Sequence, residues 1–285
     1  MATLQFIRRK IGSVRSTQTI TRTMWMIAAA RLRKAQDAAL SNRAYSHKIA
    51  ALMGEIIMRV PPESHFLLLP RKVENVLIVL ITSNRGLCGG FNINLCTTVD
   101  RLLTEHSGHY KNISLYTVGR KGRDYFKRRG REIVQERVDI RTLGPDLARE
   151  ISEDLIDYYT TMRCDKVFLV YSRFYTVLRQ EVQREELFPL KPAADTPRKI
   201  EYLFEPERVQ LLAQLIPAYL EAQVYKGLLE SQVSEHAARM NSMDSATNNC
   251  KKMIDELTLV YNKSRQASIT KDMIDIVGGA EAIKA

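Results

Sequence analysis

The chain has almost no helix-breaking residues near either end. All nine prolines lie between Pro61 and Pro217. Proline costs about 3 kcal/mol inside a helix and glycine about 1 kcal/mol, so residues 1–60 and 218–277 are each predicted to form a very long helix. Two such rods indicate a mechanical element rather than a binding pocket. The only glycines in the two segments are Gly12, Gly54 and Gly227.

Long hydrophobic runs and paired cysteines are missing too. The longest aliphatic run, Val76–Ile81, is far shorter than the roughly 20 residues that span a bilayer. No charged-then-apolar signal segment opens the chain. The four cysteines contain no C-x-x-C pair, so we expect buried, reduced thiols rather than a disulfide or a metal site.

Catalytic constellations are also lacking. The sequence contains no His-Glu-x-x-His, no Gly-x-Ser-x-Gly and no Cys/His cluster with metal spacing. The glycine-rich stretch Arg85–Gly90 follows an aliphatic run and could cradle a phosphate at a helix N-terminus. It fits neither nucleotide-binding fingerprint, and no lysine followed by Ser or Thr comes after it, which favours a tight structural turn. We therefore assign no catalytic, cofactor-binding or metal-binding residue.

The positive charge is concentrated at the start of the chain. Of the net charge of +11, residues 1–60 carry +9, with 11 Lys and Arg against Asp37 and Glu55. A strongly basic helix is typical of proteins that bind nucleic acid, an anionic membrane or an acidic protein surface. Charge alone does not choose among them.

Both flanks show a coiled-coil repeat of 3.5 residues. From Ile7 to Val60, steps of four and three give sixteen positions, of which twelve are apolar and none is charged, with Trp25 among them. The second flank shows the same repeat from Met243 to Ile274, through Met253 and Val260. We expect the two seams to pair with each other as an antiparallel coiled coil; the alternative is that each packs on another subunit.

The middle of the chain alternates strands and helices. Continuous aliphatic runs at Lys72–Thr82, Asn112–Val118 and Lys166–Ser172 are typical of buried parallel strands. The segments between them show helical spacing, and Thr176–Leu190 alternates like an antiparallel strand. This pattern predicts a Rossmann-like α/β domain with a mostly parallel sheet. The remaining expected elements are helices at Phe91–Glu105 and Asp146–Met162, and a short strand at Arg198–Phe204.

The expected fold class is therefore α/β, with a long antiparallel coiled coil formed by both termini. The predicted division is an N-terminal coiled-coil helix over residues 1–60, an α/β domain over 61–205 and a C-terminal coiled-coil helix over 206–285. Pro217 is expected to break or kink the last helix, leaving a short helix that ends near Ile216.

Three blocks of residues carry a family resemblance. The first is Ile7–Gln36, with Ser16-Thr17-Gln18 and Ala28–Leu32. The second is Ser83–Asn92. The third joins Ser234–Asn249 to Leu257–Thr270, with Arg239-Met240 and Arg265-Gln266-Ala267. In these blocks and in the order helix, α/β domain, helix, the whole chain resembles the gamma subunit of F-type ATP synthases.

The resemblance implies a non-catalytic central stalk that couples proton translocation to ATP synthesis or hydrolysis in a ring of alpha and beta subunits. Its implied partners are alpha, beta, epsilon and the c ring, with delta in the complex, and no nucleic acid or cofactor. Met24, Arg265 and Gln266 would contact beta, and Tyr202 and Glu205 would face the c ring. The implied location is the cytoplasmic side of a bacterial plasma membrane, through the c ring.

The sequence departs from the family pattern at two places. Asn84 stands where an aspartate is usual, and Trp25 stands where a polar seam residue is more usual. We expect the Trp25 indole to pack on the second helix or to touch beta. Two other function classes remain open from the residues alone: a nucleic-acid-binding coiled coil, because of the basic first helix, and a dehydrogenase-like enzyme, because of the glycine-rich turn.

Overall fold

The computed structural model describes residues 4–69, 71–105, 108–138, 140, 143–190 and 208–284. One very long helix precedes the shorter elements in the sequence and another follows them, as the distribution of proline predicts. The elements, in chain order, are α1 (Leu4–Ile57), β1 (Asn75–Ile81), α2 (Phe91–Glu105), β2 (Asn112–Val118), α3 (Arg120–Lys127), β3 (Ile133–Arg137), α4 (Pro145–Thr160), β4 (Lys166–Phe174), β5 (Gln180–Phe188) and α5 (Arg208–Lys284), with one 3₁₀ turn at Pro62–Ser64.

The five strands form one sheet in the order β3-β2-β1-β4-β5. The β1 strand pairs in parallel with both β2 and β4, and β2 pairs in parallel with β3. Only β5 runs antiparallel to its neighbour, since it follows β4 through a short hairpin. The predicted α/β fold with a mostly parallel sheet is therefore confirmed.

Helices cover both faces of the sheet. On one face, α4 packs with the last part of α1 and the first part of α5 against Leu77, Val79 and Ile81 of β1. On the other, α2 and α3 pack against Val76, Ile78 and Leu80. Burial on both sides explains why these strands read as unbroken aliphatic runs.

The chain separates into two compact units, one of Met1–Ala28 with Met240–Ala285 and the other of Ala29–Arg239. The α/β unit thus includes most of α1 and the first part of α5. The domain boundaries expected at 60/61 and 205/206 remain predictions.

In the first unit, the two helices meet directly. The Thr247 hydroxyl donates a hydrogen bond to the Thr21 hydroxyl at 2.8 Å. Thr21 lies 17 residues after Leu4, the first residue of α1, and Ser264 lies 17 residues after Thr247. Leu257, Tyr261 and Ser264 are half-buried, whereas every residue from 265 to 280 is exposed, so burial on α5 ends where an antiparallel α1 begins. The pair is therefore antiparallel, with facing residue numbers that add to about 268.

The predicted seam is right for most of α1 and for half of its positions on α5. On α1, Ile7, Thr21 and Ala28 are buried. On α5, the predicted positions that are buried or half-buried are Met243, Ala246, Cys250, Leu257 and Ser264. Met253 and Val260, however, are 45% and 51% exposed, and Ile254 and Tyr261 take the inward positions beside them, so the placement of Met253 and Val260 on the seam is wrong. The seam also ends at Ser264, so the predicted positions Ala267, Lys271 and Ile274 are wrong too. Apolar residues lie on both sides of this helix, so the spacing alone did not fix which side faces α1.

Trp25 was also expected on the seam. Its side chain is 37% exposed, while its neighbour Met24 is half-buried and takes the inward position between Thr21 and Ala28. The inward positions run from Thr21 by three residues to Met24 and then by four to Ala28. The predicted seam took these two steps in the opposite order and therefore selected Trp25.

The predicted break at Pro217 is wrong, because α5 continues through it. Proline removes one backbone hydrogen bond, but Leu212, Ile216 and Leu220 on either side are fully buried in the α/β core and hold both turns in place. Two short elements were missed: α3 contains five charged residues in eight, and β3 is an edge strand with two apolar residues. The strand expected at 198–204 lies outside the described residues.

Candidate functional site

The residues assigned to partner contacts lie at separate places along the rod. Met24 lies near the end of the paired segment that is formed by residue 28 of α1 and residue 240 of α5. In the antiparallel register it faces residue 244. Arg265 and Gln266 are exposed and lie just beyond Ser264, where burial by α1 ends. At 1.5 Å per residue, about 30 Å of helix separates the two places. The structure does not bring these three residues together; Tyr202 and Glu205 lie outside the described residues.

The first part of α1 presents charge of one sign. Between Leu4 and Ala28 there is no acidic residue, and all five basic side chains are exposed. These side chains form no ion pair among the described residues, so their positive charge is available to an acidic surface. They are Arg8, Arg9, Lys10, Arg15 and Arg22.

Within the α/β unit, a buried ion pair attaches α5 to the loop after β1. Arg239 is 9% exposed; its guanidinium donates to Glu235 Oε1 at 2.6 Å and to the Gly86 carbonyl oxygen at 3.3 Å. Burial raises the pKa of Glu235, which Arg239 and Arg31 oppose. A buried charge that lost its partner would be costly, so Glu235 holds the guanidinium in place while its hydrogen bond to Gly86 joins α5 to the loop.

Three more contacts hold α5 on the sheet. Gly227 lies so close that an added Cβ would approach Leu169 Cδ2 to 2.9 Å. The Ser234 hydroxyl donates to the Ser172 carbonyl at 2.9 Å, and Glu230 accepts from the Phe174 amide at 3.1 Å. Glu230 also pairs with Arg43 of α1 at 3.3 Å. Polar contacts therefore join α5 to both α1 and β4.

Sequence reasoning placed Arg239 in a family block but missed its contacts. The available signal was a Glu-x-x-x-Arg pair in a helical stretch whose other residues, apart from His236, are small or apolar: Val233, Ser234, Ala237 and Ala238. Opposite charges four residues apart on a buried stripe indicate an internal ion pair. The loop that it binds cannot be found from this spacing.

The glycine-rich stretch forms a tight turn, as predicted. Leu87 and Gly89 both have positive φ values, 62° and 55°. Asn92 closes the turn, because its side chain accepts from the Ser83 amide and donates to the Ser83 hydroxyl at 2.8 Å. Asn84, the departure from the family pattern, caps α3 by accepting from the Arg120 amide at 3.0 Å.

Three of the four cysteines are buried, and Cys250 is half-buried. All four are free, and burial raises the pKa of Cys88, while that of Cys96 and Cys164 rises to about 12. In the described part of the chain, no group of His, Cys, Asp and Glu side chains is arranged to hold a metal ion. Among the same residues, no helix has the length and apolarity needed to cross a membrane.

Comparison with known protein families and sequences covers the whole chain. A family model described as ATP synthase matches residues 3–283. The ATP synthase gamma chain of Pelotomaculum thermopropionicum is 43% identical over 290 residues, with both chains covered completely. Those of Moorella thermoacetica and Geotalea daltonii are 43% and 39% identical over 286 residues, again with complete coverage of both chains.

Solved structures share the fold. A chain of the Euglena gracilis mitochondrial ATP synthase, from a structure of OSCP, F1 and c-ring, matches with a TM-score of 0.70 and 20% identity, over 98% of this chain and 94% of that one. A chain of the central stalk and c-ring of the Tetrahymena thermophila enzyme matches with a TM-score of 0.62 and 24% identity, over 80% of this chain and 99% of that one.

Proposed function

This chain belongs to the ATP synthase gamma-chain family, and from that premise we propose that it is the rotor of the complex and carries no catalytic site of its own. It turns inside a ring of alpha and beta subunits and couples proton translocation to ATP synthesis or hydrolysis in that ring. The observation that carries this proposal is the antiparallel pairing of the two chain ends at Thr21 and Thr247.

The rod has the properties that rotation in a sleeve requires. Two paired helices resist bending more than one, and the small seam residues Thr21 and Ala28 let them approach closely. The exposed basic side chains of α1 complement acidic surfaces on the beta subunits, which attract the rod without fixing one orientation. Met24, Arg265 and Gln266 contact beta near the two ends of the paired segment.

The α/β unit is the foot. It binds epsilon and the c ring, with Tyr202 and Glu205 facing the ring, and delta belongs to the same complex. The hydrogen bonds of Arg239 to Gly86 and of Ser234 to Ser172 hold α5 within the foot, so that torque passes along this helix. Through the c ring the chain is peripheral to the plasma membrane, on its cytoplasmic side in a bacterium.

Reconstitution tests the proposal. The purified full chain alone should not hydrolyse ATP, whereas its addition to alpha and beta subunits should raise their turnover and make ATP-driven proton pumping possible once the membrane sector is present. ATP hydrolysis by the chain alone that survives further purification would overturn the non-catalytic assignment. If the chain did not co-assemble with alpha and beta subunits, the rotor assignment would be overturned.

A further inference from the structure

The α/β unit contains a cavity of about 710 Å³ that the stalk function does not use. It lies at the carboxyl end of β1 and β2, between residues 31–38 of α1 and residues 225–236 of α5. In open α/β sheets, ligands bind at the carboxyl ends of the strands near the point where the strand order reverses. The strand order reverses between β1 and β4, and the cavity lies at the end of β1, one of the two strands that border the reversal.

Positive charge lines this cavity. Arg31, Lys34 and Arg85 line it from two different elements, and none of them forms an ion pair among the described residues. Among the residues that the structure describes, the one carboxylate in the lining is that of Glu235, which is already engaged by Arg239 at 2.6 Å. The described part of the lining therefore has an uncompensated charge of about +3, which an anion would neutralise.

His236 supplies a neutral donor in the wall. It is 8% exposed, and its Nδ1 lies 3.3 Å from the Arg239 guanidinium. Because a guanidinium can only donate, Nδ1 must accept, which places the imidazole proton on Nε2. Burial, with the neighbouring Arg239 and Arg31 charges, lowers the pKa of His236 to about 4, so the ring is neutral at pH 7.

The backbone of α3 does not contribute to anion binding. The amides of Arg120, Lys121 and Gly122 are bonded to Asn84 Oδ1, the Ser83 carbonyl and Thr82 Oγ1. The tight turn after Arg85 is not part of the lining either. The N-terminus of α3 therefore has no free amide for an anion among these three residues, and the charged side chains are the groups that would hold one.

We propose that this cavity binds a small molecule with a pyrophosphate group, either free pyrophosphate or a nucleoside diphosphate, whose phosphate oxygens contact Arg31, Lys34 and Arg85. Three cations on two sides of a cavity match a group that carries several negative charges over two phosphates. The volume lies within the range of small-molecule sites, and the apolar residues Ala38 and Leu229 in the lining leave space for a base and sugar.

Equilibrium dialysis of the purified full chain against labelled pyrophosphate and labelled ADP, without alpha and beta subunits, tests the proposal. We expect saturable binding at one site per chain, weakened by added salt. Binding of both ligands with similar affinity identifies free pyrophosphate as the source, and tighter binding of ADP identifies the nucleotide. No saturable binding of either ligand at about millimolar concentration would overturn the proposal, and the rotor assignment would be unaffected.

A matched pair of variants locates the site. Arg31→Gln with Arg85→Gln should weaken binding at least about tenfold, because two charge-assisted contacts are lost. Arg33→Gln with Arg128→Gln removes the same charge from exposed positions outside the lining and should change affinity less than about twofold. Circular dichroism checks that both variants fold. Equal weakening by the two pairs would mean non-specific attraction and would overturn the site.

Discussion

The hydroxyl of Thr247 donates to the hydroxyl of Thr21 at 2.8 Å, across 226 residues of sequence. This contact sets the register of the rod, and it places Gln18 opposite Cys250, both half-buried. The Met243 carbonyl oxygen of the same helix also lies 2.8 Å from the Thr247 hydroxyl, so the single hydroxyl proton has two acceptors within reach. A threonine pair on a coiled-coil seam fixes how the two helices align, but it buries less apolar surface than two aliphatic residues would.

The register predicts a disulfide from one substitution. Gln18→Cys should form a bond with the native Cys250 under mild oxidation, because seam residues that face each other approach within the reach of a disulfide. Non-reducing electrophoresis and mass spectrometry of the full chain measure it. Ser16→Cys, on the outward side of the same helix, is the control. Equal yields from the two variants, or none from Gln18→Cys, would show that the register is wrong.

Two glycines should respond to alanine in opposite directions. Gly119 has a φ of 100°, and an added Cβ would lie 2.1 Å from the Thr82 carbonyl oxygen, so Gly119→Ala should lower the free energy of unfolding by more than about 2 kcal/mol. Gly12 lies in α1 with nothing within 4 Å of an added Cβ, so Gly12→Ala should raise it by about 0.5–1 kcal/mol. Urea denaturation of both variants measures the difference.

Removal of one partner of the buried ion pair should cost more than removal of both. Arg239→Met removes the cation that is hydrogen-bonded to Glu235 and should destabilise the chain by about 3–5 kcal/mol. Adding Glu235→Met to that variant should recover part of the loss, because no charge is then left unpaired. Denaturant midpoints of the two single variants and the double variant test this. Additive losses would contradict the buried pair.

The pH dependence of stability should contain a contribution from His236. Its pKa is about 4 in the folded chain and near 6.5 in the unfolded chain, so between these values the unfolded state binds the additional proton. Stability is therefore fully present above about pH 6.5 and falls as the pH is lowered toward 4, by at most about 1.4 kcal/mol per pH unit. The groups facing the ring are Arg239, Arg31 and Glu235; the raised pKa of Glu235 opposes the effect at the acid end of this range.

His236→Gln should flatten this part of the profile. Chemical denaturation at several pH values between 7 and 5 gives the slope for each variant. The control is His47→Gln, at an exposed position of α1. An unchanged slope in His236→Gln would show that the imidazole titrates normally in the folded chain.

How far the sequence predicted the fold depends on the range of the interactions. The strand runs and α2 were predictable. Val79 and Leu80 are buried on opposite faces of the sheet, so the unbroken aliphatic run in the local sequence is enough to indicate a buried strand. The inward positions of Met24 and Ile254 were not, since the spacing fits two phases and only the partner helix decides between them. The contact of Arg239 with Gly86 joins residues 153 apart, and no local pattern encodes such a pairing.

Arg265 and Gln266 should matter for coupling and assembly more than for folding. Both are exposed beyond the last half-buried seam residue, Ser264, and exposed substitutions usually change stability by less than about 0.5 kcal/mol. A lost charge-assisted hydrogen bond to a partner can cost roughly 1.5–3 kcal/mol. Alanine at both positions should leave the circular dichroism spectrum unchanged and reduce retention in the alpha–beta ring or ATP-driven proton pumping.

The matched control for that variant is Asn249→Ala with Lys252→Ala, which removes one amide and one cation from exposed positions of the same helix. Both double variants should unfold at the wild-type denaturant concentration, so any difference between them comes from the partner subunits. Complex yield by gel filtration and proton pumping in reconstituted vesicles are the two readouts. Wild-type complex yield and wild-type proton pumping in the Arg265/Gln266 variant would show that these two residues do not contact beta. The rotor assignment would be unaffected by that result, because the pairing of Thr21 with Thr247 does not depend on Arg265 or Gln266.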